Sequence, residues 1–317
     1  MLRSWIRRLF VPETLTRPTV TRRRPQPKRR WQPTFDVLED RTVPSTSIPL
    51  SSLTWNPLGP APITNGQTPG NQPVSGRITS IAADPFDPNV IFVGTAGGGV
   101  WRTTNSGATW QTTTDNVPSL TPTLFIGSVA VARSNTNVIY AGTGEASNSP
   151  LSFYGRGVLK STDRGLTWQL LGTSVFDRKA ISSVQVDPTN PNNVYVAVAG
   201  GGANGTAGGN GVFRSTDGGL TWSNVTAAAI AGSVNQPFSD LVIDPTNPQI
   251  LYAAIGAING SALNGVYKTT NGGASWSLVG ATLPSGAGVG RIKIAIAANN
   301  PQRLFVTFSN PTAGASI

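Results

Sequence analysis

The 317-residue chain has no cysteine and no histidine, and a single methionine. Without cysteine there are no disulfides and no thiol nucleophile, and without histidine there is no imidazole base, so Ser-His and Cys-His catalysis is excluded. The His/Cys zinc sites are excluded too, and no metal ligand set or cofactor motif is expected. Any catalysis must run on carboxylates, of which there are 14. Charged residues make up only 12% of the chain, and no apolar run is long enough to span a membrane. The net charge of +10 is unevenly placed. Residues 1–50 carry 11 Lys and Arg against 4 acidic residues, and the rest carries 13 against 10. The basicity belongs to one end, and no basic stripe interleaved with aromatics follows it, so nucleic acid is not an expected partner.

What is abundant is glycine, 36 residues, and it recurs in register. "GVWRTTNSGATW" (99–110) returns as "GVLKSTDRGLTW" (157–168), "GVFRSTDGGLTW" (211–222) and "GVYKTTNGGASW" (265–276). The tryptophans Trp110, Trp168, Trp222 and Trp276 are spaced by 58, 54 and 54 residues. A second element travels with them: "ITSIAADPFDPNVIFVGT" (78–95) has counterparts at 126–143, 181–198, 238–255 and 291–308. A catalytic residue is needed once, whereas a structural device in a repeat is needed in every unit.

Each unit offers four short β-prone runs separated by turn residues, as in "ITSIA", "VIFVG", "GVWRT" and "ATWQTT". The expected fold is all-β: a β-propeller of four-stranded antiparallel blades, about five in this chain. The blades are placed near 76–115, 126–172, 181–225, 238–280 and, in part, 290–317. "LTWNPLG" (53–59) looks like the outermost strand "LTWQLLG" (166–172) and is expected to close the last blade. Because the fifth copy stops before a third strand, truncation is preferred to a closed five-bladed ring, with self-association as its consequence.

The recurrent motif, [ST]-x-[DN]-x-G-x-[ST]-W, resembles the Asp-box or BNR repeat of sialidase, sortilin and xyloglucanase-like propellers. The resemblance implies that the acid or amide (Asn105, Asp163, Asp217, Asn271) clips its own turn. It implies that the glycine (Gly107, Gly165, Gly219, Gly273) supplies a positive φ, and that the tryptophan packs into the blade. An amide cannot serve as a general base, so the Asp/Asn alternation assigns Asp163 to structure.

Residues 1–50 read as a disordered Pro- and Arg-rich arm ahead of a propeller domain over 51–317. Within the arm, "FDVLEDRTVPS" (35–45) resembles the "LEDR...PS" segment of exported or surface proteins of planctomycete-type bacteria, which implies an extracellular or cell-surface location.

Function is expected on the face where the second-to-third-strand loops emerge, since their lengths differ: "AGGG" (96–99) in the first copy, "GEASNSPLSFYGRG" (144–157) in the second, "GGGANGTAGGNG" (200–211) in the third. Glu145, Phe153, Tyr154 and Arg156 are the ligand-binding candidates. Glu145 with Asp177 or Asp115 are the weak catalytic ones, for a glycosidase that needs two carboxyl groups. The sialidase group has Arg-Ile-Pro where this chain has "GRIT" (76–79), and the xyloglucanase-like group has an aspartate after its second strand where this chain has Ala96 and Gly97. A non-catalytic module binding protein or glycan is therefore preferred, with a glycoside hydrolase as the alternative.

Overall fold

A computed structural model describes residues 76–117, 124–147, 152–200, 208–280 and 283–311. The basic arm and the segment 53–59 lie outside the described residues. The fold is a β-propeller. Four antiparallel sheets have four strands each in sequence order: β1 (Ile78–Ala83) to β4 (Gln111–Thr112), β5 (Ile126–Val131) to β8 (Gln169–Leu171), β9 (Ala180–Asp187) to β12 (Ser223–Asn224), and β13 (Phe238–Ile243) to β16 (Ser277–Leu278). A fifth sheet pairs β17 (Ile292–Ile296) with β18 (Leu304–Phe308). Among the described residues, the helical structure is one turn, α1 (Thr173–Phe176), and a 3-10 turn at Ser233–Asn235.

The repeating core lies between blades rather than within them. Phe92 and Val100 of the first blade meet Ile126, Ile139 and Leu159 of the second in one cluster, and three further clusters occupy the next three junctions. Middle strands are consequently covered on both faces, and β6 (Ile139–Thr143) is buried at every residue. Full burial of a side chain such as Phe92 or Leu159 contributes about 1.5–3 kcal/mol. The outermost strands are only two or three residues long, shorter than the sequence suggests, because each motif tryptophan precedes its strand instead of joining it.

The innermost strands are stitched to one another by side chains at two fixed positions. Counting from Ile78, Ile126, Ile181 and Phe238, the second residue, Thr79, Ser182 or Ser239, donates to the carbonyl of Ile126, Phe238 or Ile292 of the next blade. At the third, Ser80, Ser128 and Asp240 accept the N–H of Val129, Val184 and Ile294, while Ser183 donates to Leu241 O. The exception is Gly127, where a Cβ would stand 2.1 Å from Ile181 O, so the second blade approaches the third more closely at this point than a side chain permits. These polar links satisfy buried groups where strands of different sheets cannot form a ladder.

Candidate functional site

The motif turns share one geometry. Ser161 accepts the N–H of Gly165 at 2.8 Å and donates to Asp163 Oδ1 at 2.7 Å. The same carboxylate accepts the N–H groups of Leu166 and Thr167 and the Thr167 hydroxyl. Ser215, Asp217, Gly219 and Thr221 repeat this arrangement. In the first and fourth turns Asn105 and Asn271 accept the backbone N–H of Thr109 and Ser275, while their amide nitrogens donate to the same residues' hydroxyls. The clip is thus built with either residue by reversing one hydroxyl proton. Burial works against the charge of Asp163, but the bonds from Thr167, Ser161 and Leu166 outweigh it and draw its pKa down to about 2. For Asp217 the bonds from Thr221, then Ser215, lower it further.

The tryptophans dock between blades. Trp168 donates to Thr113 and Trp276 to Val225 O, in each case on the preceding blade, and Trp222 packs edge-on against Phe176 at 5.2 Å. Gly165 has φ 79°, and a Cβ there would meet Phe92 at 2.7 Å, so the glycine both forms the turn and admits the neighbouring blade.

On the opposite face, the loop that begins at Gly144 is tied down at its neck. Gly144 N–H donates to Phe125 O and Glu145 N–H to Phe153 O, and the rings of Phe125 and Phe153 stack at 4.6 Å. The Glu145 side chain is only 1% exposed; it accepts Ser147 N–H at 2.8 Å and pairs with Arg77 Nη2 at 2.8 Å. Glu145 is therefore enclosed and does not face the solvent. The loop returns along α1 and β9: Gly155 N–H donates to Lys179 O, and Arg178 N–H to Gly155 O. This return brings Arg156 Nε to 3.3 Å from Asp177 Oδ1 and places the Arg178 guanidinium 5.3 Å from the centre of the Tyr154 ring. Tyr154, Arg156, Asp177 and Arg178 form a rim with a carboxylate, two guanidinium groups and an aromatic surface. A face of this kind can hydrogen-bond hydroxyls and stack on a ring. Behind it, burial pushes the Lys179 amine down while it donates to Gly208 O.

Burial lowers the pKa of Arg291, and the charges of Glu145 and Asp240 oppose that shift. Lys293 Nζ stands 3.6 Å from Asp240 Oδ1, with burial lowering its pKa and Asp240 opposing. Arg77, Arg178 and Arg291 escaped the sequence reading. The available signal was the repeated "GRI" at 76–78 and 290–292, which places an arginine immediately before the innermost strand of two blades.

Of the predicted residues, Glu145, Phe153, Tyr154, Arg156 and Asp177 come together around one loop. Asp115 does not join them; it lines a separate groove between the first two blades with Arg102, Gly165 and Leu166. Among the described residues no group of three or more acidic side chains forms a cation cage.

No protein-family profile matches the chain. A xyloglucanase of Hypocrea jecorina is 28% identical over 228 residues, covering 64% of this chain and 26% of that protein. A Paenibacillus xyloglucanase is 32% identical over 141 residues, 38% of this chain and 13% of the other. Among solved structures, an ancestral GH74 enzyme superimposes with a TM-score of 0.56 at 26% identity, covering 83% of this chain and 30% of that one. The chain thus spans about a quarter of the length of the Hypocrea relative. These likenesses overturn the expectation of a non-catalytic binding module: the similar proteins are xyloglucanases and a GH74 enzyme.

Proposed function

We propose that this propeller is a glycoside hydrolase module acting on a β-glucan of the xyloglucan type, and that it works outside the cell. The observation that carries the reading is the similarity to xyloglucanases across blades whose loop face bears an oriented carboxylate beside an aromatic ring. Glycoside hydrolysis takes a pair of carboxyl groups, one protonating the leaving oxygen and the other acting as nucleophile or base. Asp177 is the carboxylate that faces solvent on the rim, oriented by Arg156, and is one member of that pair. Tyr154 offers a flat apolar surface to a sugar ring, with Arg156 and Arg178 donating to hydroxyls. Glu145 is a positioning residue, because its carboxylate is consumed by Arg77 and Ser147. Within this reading the motif turns are Asp-boxes, supported by their common bonding, and residues 51–317 form one propeller domain behind a basic export-type arm.

The test is release of reducing ends from xyloglucan, unbranched β-1,4-glucan and starch by the full chain and by Asp177→Asn. Release from xyloglucan, lost in the variant and absent on starch, is the expected result. No release from either β-glucan overturns the reading.

A further inference from the structure

Two blade junctions are closed by the same polar device, and the first departs from it. In the second and third blades the third strand carries, after Leu159 and Phe213, a cation that lies over its cross-strand tyrosine: Lys160 over Tyr140 at 5.5 Å and Arg214 over Tyr195 at 5.4 Å. Lys160 then donates to Gly218 O of the next blade's motif turn, and Arg214 and Tyr195 both donate to Gly272 O. Both turn positions hold glycine in a left-handed conformation, Gly218 at φ 75° and Gly272 at φ 65°. The fourth blade keeps the same pair, Lys268 over Tyr252 at 5.3 Å.

In the first blade both halves are exchanged. Tyrosine is replaced by Phe92, which has no hydroxyl to donate, and the turn glycine of the next blade is replaced by Arg164, held at φ 59°. Arg164 turns away to Asp84 Oδ2 at 2.7 Å and Asp87 Oδ2 at 3.2 Å on the first blade. Arg102, the cation of this junction, is left without the carbonyl that its counterparts use, and its Nε is buried with no hydrogen-bond partner. Burial, then repulsion from Arg164, lowers its pKa, while Asp163 opposes. A buried polar group left unpaired is costly, and Arg164 Nε shares that state; the junction thus keeps a guanidinium at Arg102 to which the protein offers no acceptor. Arg102 lines a groove of about 310 Å³ together with Gln111, Thr113, Asp115, Asn116 and Leu166.

We infer that this groove between the first two blades is a second carbohydrate site, separate from the loop face, which takes a neutral, hydroxyl-rich oligosaccharide. The lining pairs donors with acceptors: Arg102 donates, Asp115 accepts, and Gln111 and Asn116 do both, as successive sugar hydroxyls require. Asp115 sets the groove against an anion, and the exposed Leu166 offers an apolar patch for a ring face. The ligand class rests on the glycan reading of the preceding subsection; the site itself rests on the altered junction.

The experiment is calorimetric titration of the full chain with cellotetraose and with a xyloglucan oligosaccharide, for wild type, Arg102→Gln, the double variant Gln111→Ala/Asn116→Ala, and Tyr154→Ala on the loop face. Binding that weakens by about tenfold or more in the two groove variants, and persists in Tyr154→Ala, is expected. The double variant alters exposed side chains only and decides the matter where Arg102→Gln fails to fold. Binding abolished by Tyr154→Ala and untouched by the double variant overturns the proposal. So does no binding of either sugar, and so does displacement of the sugar by equimolar sulfate, which makes the groove an anion site. No release of reducing ends from either β-glucan by the wild-type chain, with groove binding intact, would sink the catalytic reading and leave this one standing.

Discussion

On the motif-turn face, Asp163 and Asp217 use their carboxylates in the same way, and Asn105 and Asn271 reproduce the shape with an amide. On the loop face no two blades agree: the second blade has a long loop latched by Glu145 and Arg77, while the first passes from Thr95 to Val100 through glycines. Groups that repeat are bound to their own backbone and have no valence left for a ligand. Groups that occur once are held by distant parts of the chain, as Arg77 of the first blade holds Glu145 and Asp177, after α1, meets Arg156. Departure from the repeat, more than exposure or charge, therefore marks where this propeller has room for chemistry, and the Arg102 junction is the same rule applied to the seam between blades.

The comparison breaks if the repeated elements prove dispensable. Trp276→Ala removes a ring that is 8% exposed and bonded to Val225 O of the neighbouring blade, and should cost about 3–5 kcal/mol, read as a lowered denaturant midpoint. Trp168, which is half-buried, should cost less on the same scale. Gly127→Ala forces a Cβ against Ile181 O at the inner seam and should cost about 1–3 kcal/mol, although serine or threonine serves at the same position in three other blades. A neutral Gly127→Ala would mean that the strand spacing adapts freely.

One change on the loop face sharpens it. Glu145→Ala leaves Ser147 N–H and Arg77 without their acceptor and should open the latch, so that proteolytic cleavage within 144–157 accelerates while the melting temperature falls by only a few degrees. Cleavage unchanged from wild type would show that the stacking of Phe125 on Phe153 suffices to hold the loop.

The smallest effect belongs to Asp163→Asn, which the first and fourth turns already model; a loss within about 1 kcal/mol is expected. Its pH dependence has a definite sign. The folded value of about 2 lies below the usual aspartate value, so the stabilising contribution is complete above about pH 4 and is lost as pH falls through 2. Asp217 acts in the same direction. Asp163→Asn/Asp217→Asn should therefore lose less melting temperature than wild type between pH 4 and pH 2, followed by circular dichroism.

The repeat and the fold were legible because they rest on periodicity: the spacing of Trp110, Trp168, Trp222 and Trp276 sets the blade, and β-prone runs between turn residues set its strands. The clip role of Asp163 was legible for the same reason, since asparagine stands in its place twice. The loop of interest could be picked out by its length, and so Glu145, Tyr154 and Arg156 were named. Their relations could not. That Glu145 is enclosed while Asp177 faces solvent depends on Arg77, 68 residues earlier in the chain. That Asp115 belongs to a different groove depends on how the second motif turn seats against the first blade. Pairings within a hairpin are written in local sequence because turn chemistry fixes them. Which blade lends an arginine to which loop is settled only when sheets pack face to face, since no local pattern encodes a contact made across the seam between two of them.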